Sequence, residues 1–157
     1  MPSVPNQLSQ SPATRKVILG VAASDSHAVA NHLIAFFLRG LGFDVVNLGT
    51  CTPVEEFAEA CARHPEAEAV IIGSLNGHVH EDLRGLDRAK QSGRITCPVI
   101  VGGNLSVGSH KDGSSHDRLY AAGVDHILGD PSELPGLLAE LQVDRERAAV
   151  TLGLAAS

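Results

Sequence analysis

Lys16-Val-Ile-Leu-Gly-Val-Ala-Ala-Ser-Asp-Ser-His-Ala-Val-Ala-Asn-His-Leu-Ile-Ala-Phe-Phe-Leu-Arg-Gly40 changes its hydrophobic period once, and that change decides the fold. The first seven residues form a short apolar run, β-branched at Val17, Ile18 and Val21 and bounded by Ser24-Asp25, which is the composition of a buried strand. From Ala28 onward the apolar positions Val29, Leu33, Phe36, Phe37 and Leu41 recur at helical spacing, and Gly40 and Gly42 supply a stop.

The same alternation repeats down the chain. Phe43-Asp-Val-Val-Asn-Leu-Gly49 reads as the second strand. Thr52-Pro53-Val-Glu-Glu56 opens the second helix, with an N-cap hydroxyl, proline at the first position and acids in the first turn. That helix is expected to run to about Arg63. Further strands are predicted over 68–74, 97–102 and 124–128, and further helices over 81–91, 115–122 and from Pro131 to near Leu141. Strands alternating with helices indicate a parallel sheet covered on both faces. For five strands with right-handed crossovers, the expected architecture is a flavodoxin-like (Rossmann-like), doubly wound α/β fold of strand order 2-1-3-4-5. Residues 1–15 read as a disordered tail, 16–142 as one domain and 143–157 as a flexible C-terminal tail.

Composition agrees and narrows the function. The 157 residues include no Trp, one Tyr and four Phe, so the core is expected to be aliphatic. A net charge of −6 argues against binding nucleic acid or an anionic membrane, either of which needs a basic patch. Three cysteines without C-x-x-C spacing fit a reducing, cytoplasmic setting, and no stretch has the apolar length of a membrane span.

Ligands of open parallel sheets bind beyond the carboxyl ends of the strands, where strand order reverses. Three strand ends there are unusual in composition. The first reads Ser24-Asp25-Ser26-His27-Ala28-Val29-Ala30. A histidine at a helix N-terminus is disfavoured as a cation by the helix dipole, and the neutral imidazole is the form that binds a metal. An acid two residues earlier can accept its other ring N–H. Read alone, the loop is equally a cap by Asp25 or Ser26 with His27 exposed. The second end, Ser74-Leu75-Asn76-Gly77, carries a hydroxyl that could meet a ligand or merely form a turn. The third, Gly102-Gly103-Asn104, allows either close ligand approach or a tight turn. Neither G-x-G-x-x-G nor G-x-x-x-x-G-K-[ST] occurs, which disfavours the usual nucleotide readings.

Together, Asp25-x-His27, Gly73-Ser74-Leu75 and Gly102-Gly103 resemble the cobalamin-binding domains, whose signature is D-x-H-x-x-G, S-x-L and G-G. The chain is more closely similar to the small, cobalamin-carrying subunits of glutamate mutase (methylaspartate mutase) from Val17 to about Leu141. That likeness runs through Val21-Ala-Ala-Ser-Asp-Ser-His-Ala-Val29, Phe43-Asp-Val-Val-Asn-Leu-Gly49, Ser74-Leu-Asn-Gly77, Gly85-Leu86 and Val101-Gly-Gly-Asn-Leu-Ser-Val-Gly108. The resemblance implies adenosylcobalamin as cofactor, with its dimethylbenzimidazole base detached from cobalt and buried beside the sheet. By the same resemblance, His27 would be the metal ligand and Asp25 its hydrogen-bond partner. Ser74 would meet the base, and Gly102 and Gly103 would make room for the nucleotide tail. Ser24, Ser26, Ala28, Val29, Leu75, Asn76 and Asn104 complete the implied cofactor-binding set. Two positions depart from the signature: Ala30 replaces its final glycine, and Ser74 and Leu75 are adjacent where S-x-L has an intervening residue.

The implied activity is an isomerase that converts glutamate to 3-methylaspartate by radical rearrangement, working only with a larger catalytic subunit. The chain has no room for a substrate-enclosing barrel and no obvious arginine cluster for two carboxylates. Alternatives are a carrier for another mutase, a methyl-transfer corrinoid protein, or a sensor on the same fold. A phospho-receiver would need an acid where Ser74 ends the third strand. His78-x-His80 is expected to contact the cofactor or the partner rather than zinc.

Overall fold

A computed structural model describes residues 14–75, 77–103 and 113–155. Five strands, β1 (Lys16–Val21), β2 (Asp44–Asn47), β3 (Val70–Gly73), β4 (Val99–Gly102) and β5 (His126–Leu128), form one parallel sheet in the order β2-β1-β3-β4-β5. The order reverses between β1 and β3. Gly20 pairs with Ile72 and Val21 with Gly73, so those two strands end level with each other at the switch point. Gly73 is in turn level with Gly102 of β4.

The strand side chains separate by parity into two cores. Ile18, Val70, Ile72, Val99 and Val101 pack against α2 (Val54–Arg63), α3 (Val79–Asp82), α4 (Leu86–Gln91) and α5 (Gly113–Ala121). Fully buried Phe57 is the largest side chain on that face. Val17, Leu19, Ala69, Ile71 and Ile100 face the other way, against α1 (Ala28–Gly40) and α6 (Leu134–Ala155). The sheet is therefore doubly wound as the alternation predicts, with only two helices on the second face.

Three expectations need correction. The helix expected over 81–91 is two short helices, because Gly85 adopts a left-handed φ of 89° between them. The last helix does not stop near Leu141. After a 3-10 turn at Pro131–Glu133 it continues to Ala155 through a stretch that repeats Ala, Arg and Leu, all good helix formers. The third difference concerns α1, where the periodicity is right but the inward face is another one. Val29, Leu33, Phe36, Phe37 and Leu41 are exposed, whereas Asn31, Ala35 and Leu38 are buried. Small Ala35 lets the helix approach the sheet closely, and the larger apolar residues ride on the outer surface. No helix among the described residues is long and apolar enough to cross a membrane.

Candidate functional site

Among the described residues, only α1 and α6 lie on one face, and the sheet between them is left open near the strand ends. A cavity of about 200 Å³ lies there. Its floor is Leu19, Ile71 and Ile100, and its sides are Ile34 of α1 and Leu134 of α6. Gly73 and Gly102 also line it, and neither glycine is demanded by the backbone. A Cβ on Gly73 would come no nearer than 3.9 Å to anything, and one on Gly102 would touch Leu128 at 3.6 Å. Side chains there would occupy the cavity itself. Gly103 differs: its φ is 116° and a Cβ would lie 2.2 Å from the Ser74 carbonyl oxygen, so the β3 and β4 loops cross too closely for any other residue.

His27 stands at the cavity rim as the N-cap of α1. Its position is set by Asp25, whose side chain is wholly buried while the imidazole is 58% exposed. One carboxylate oxygen of Asp25 accepts both the His27 backbone N–H at 2.9 Å and Nδ1–H at 2.5 Å. The other accepts the Leu75 N–H at 2.5 Å. Burial alone would raise the Asp25 pKa, but the hydrogen bonds from Leu75 and His27 outweigh it and hold the carboxyl below its ordinary value, hence ionised. A carboxylate can only accept, so Nδ1 carries the proton and Nε2 presents its lone pair away from Asp25. The arrangement is an imidazole with a buried anion behind its Nδ1–H, as in histidines that bind metals through the other ring nitrogen. The Cys51 N–H donates to the Asp25 carbonyl, and Ser24 donates to Asp82 through N–H and hydroxyl. The β1 loop is thus fastened to its neighbours on both sides.

Of the expected site residues, His27, Leu75, Gly102 and Gly103 line the cavity and Asp25 lies directly behind His27. Ser24 is engaged with Asp82, and Ser26, Ala28 and Val29 are exposed. Ser74 is fully buried and its hydroxyl has no partner among the described residues, but Gly73 and Leu75, not Ser74, form the cavity wall. Asn76 and Asn104 lie outside the described residues. His80 belongs to α3, and burial followed by the Arg118 charge lowers its pKa. The sequence reading missed Asn31 and Ile34 on α1 and Gly129 and Pro131 after β5. Asn31 had a signal: it sits four residues after His27, on the same helix face, and is a poor helix former among apolar neighbours.

The B12 binding domain family matches residues 15–129. The chain is 38% identical over 142 residues to a glutamate mutase sigma subunit of Halobacterium salinarum, covering 87% of this chain and 95% of the relative. It is 34% identical over 130 residues to the sigma subunit of Treponema denticola, covering 82% and 93%. Among solved structures, a cobalamin-binding protein from Desulfitobacterium hafniense superposes with a TM-score of 0.61 at 18% identity, over 85% of this chain and 59% of that one. The receiver domain of the histidine kinase CKI1 from Arabidopsis thaliana superposes with a TM-score of 0.59 at 16% identity, over 82% of this chain and 93% of that one. Backbone likeness at that level fixes the fold and does not choose between a cobalamin site and a receiver.

Proposed function

Since this chain belongs to the B12 binding domain family and, within it, to the glutamate mutase sigma subunits, we propose that it carries adenosylcobalamin to a larger catalytic subunit that holds glutamate. The observation that carries this reading is the pairing of Asp25-bound His27 with an apolar cavity beside it.

The cavity fits the nucleotide end of such a cofactor. Its walls are aliphatic, its volume exceeds the roughly 150 Å³ that accommodates benzene, and glycines leave space at two strand ends. Within reach of the same rim, a neutral His27 would offer an Nε2 lone pair, the borderline donor that a transition metal such as cobalt accepts. When bound, adenosylcobalamin supplies a carbon-centred radical by homolysis of its cobalt–carbon bond. The residues of this chain bind and orient. His27 would hold the metal, and Asp25 would fix the imidazole tautomer and raise its basicity. The cavity would take the base and shield it from water. Because the imidazole is 58% exposed, a group held there would need further cover, which the larger subunit would supply. The product is 3-methylaspartate, and this chain alone is inactive.

The test is reconstitution. 3-Methylaspartate should form from glutamate only when this chain, a larger glutamate mutase subunit and adenosylcobalamin are all present. Failure of this chain to bind cobalamin, with the larger subunit present, would overturn the proposal. Binding without turnover would leave a carrier for a different mutase.

A further inference from the structure

Asn31 is 3% exposed and forms part of the cavity wall on α1. Its amide orientation is fixed from a distance. The Gly49 N–H donates to Asn47 Oδ1 at 2.9 Å, which requires that oxygen to face the loop after β2. Asn47 Nδ2 must then point the other way, and it donates to Asn31 Oδ1 at 2.8 Å. With its oxygen taken by Asn47, Asn31 turns its NH2 group away from β2, and that Nδ2 has no partner among the described residues while being sealed from water. Flipping either amide would set donor against donor, so the orientation follows from the chain of bonds. A buried donor without an acceptor is costly and rare in native proteins, and in a cavity wall it calls for an occupant that supplies one.

Resting on the cobalamin reading above, we propose that the Asn31 side-chain amide donates to the nitrogen of the benzimidazole base that is freed when the base leaves cobalt. Two observations select that atom. Among the described residues the cavity walls are otherwise aliphatic apart from His27 and hold no lysine or arginine, which suits a neutral aromatic acceptor and not a phosphate. At the end of β3, the wall position is Gly73, which has no hydroxyl, while Ser74 lies off the wall. Asn31 therefore supplies the donor that this wall otherwise lacks, and the Asn47–Gly49 relay holds it in register.

The experiment compares cyanocobalamin with cobinamide, which keeps the corrin and cobalt but lacks the base, its ribose and the phosphate, and with cobinamide phosphate, which restores the phosphate alone and should bind like cobinamide. Asn31→Asp preserves the acceptor for Asn47 and replaces the unpartnered NH2 by oxygen. Its affinity for cyanocobalamin should fall about tenfold or more, with cobinamide affinity unchanged. Retained cobinamide binding also shows that the variant is folded. In nitrogen-15-labelled wild type, the Asn31 side-chain amide proton should shift downfield on adding cyanocobalamin and stay in place with cobinamide, a readout that needs no variant. Equal weakening of both ligands, unchanged cyanocobalamin affinity, or an unmoved amide resonance would overturn the assignment. If wild type binds neither ligand, the cobalamin reading itself fails, and the Asn31 assignment falls with it.

Discussion

The two faces of the sheet draw on the same stock of Val, Ile, Leu and Ala, yet one is closed and the other is open at its upper end. On the closed face, four helices press down and Phe57 fills the space so fully that a Cβ on Gly20 would lie 2.7 Å from its ring. On the open face, α1 and α6 stand apart, and Gly73 and Gly102 contribute emptiness where side chains would have been tolerated. Hydrophobicity is therefore the same cause with two outcomes: packing where a large residue meets a glycine, and a binding cavity where glycines meet nothing. Both faces carry a buried core, but the open one keeps the space in which we place the ligand.

A pair of substitutions breaks the comparison if it is wrong. Gly102→Val places a branched side chain inside the cavity without clashing with the backbone. Cobalamin affinity should fall by about a hundredfold, near the upper end of what overpacking costs, with little change in Tm. On the opposite face, Phe57→Ala should cost about 3–5 kcal/mol of stability in denaturant titration, while the folded fraction binds cobalamin as wild type does. Reversed outcomes would mean that the faces have been assigned backwards.

Asp25 sharpens the same contrast, because it is a buried charge on the functional side. Its carboxyl titrates below its ordinary value in the folded protein, so it contributes stability that is present above the unfolded pKa of about 3.9 and lost as pH falls through the folded pKa. The wild type should lose stability below about pH 4 more steeply than Asp25→Asn, and the two should converge in strong acid. Parallel curves would show that folding leaves the Asp25 pKa where the unfolded chain has it. The smallest effect is expected at Ala30, another residue of the cavity wall. Ala30→Gly restores the signature glycine and should cost α1 about 0.8–1.0 kcal/mol while tightening cobalamin a few-fold. Weaker binding would show that the methyl group helps to hold the ligand.

Much of this was legible in the sequence. The strand order followed from five apolar runs alternating with helical periods, and His27 with Asp25 followed from a two-residue spacing at a strand end. What was hidden depends on pairs of distant residues. The outward face of α1 carries larger apolar groups than the inward one, so amphipathicity alone points the wrong way, and only the close approach at Ala35 and Leu38 decides the matter. Asn31 gains its meaning from Asn47, which comes beside it only once β2 pairs with β1. Gly85 fell inside the single helix expected over 81–91, and its positive φ instead divides two helices. Ser74 matched a motif by type, while the level ends of β3 and β4 put Gly73 at the wall in its place.

The central claim is that His27 ligates cobalt while the cofactor's base lies in the cavity. Electron paramagnetic resonance of the cob(II)alamin-loaded protein tests it directly, in wild type grown on nitrogen-15 histidine and in His27→Ala. The expected spectrum of the unlabelled wild type is split into triplets by one axial nitrogen. The splitting should collapse to doublets with labelled histidine and be absent or altered in His27→Ala. Triplets that survive histidine labelling would mean that the cofactor's own base still holds the metal, and would contradict the claim.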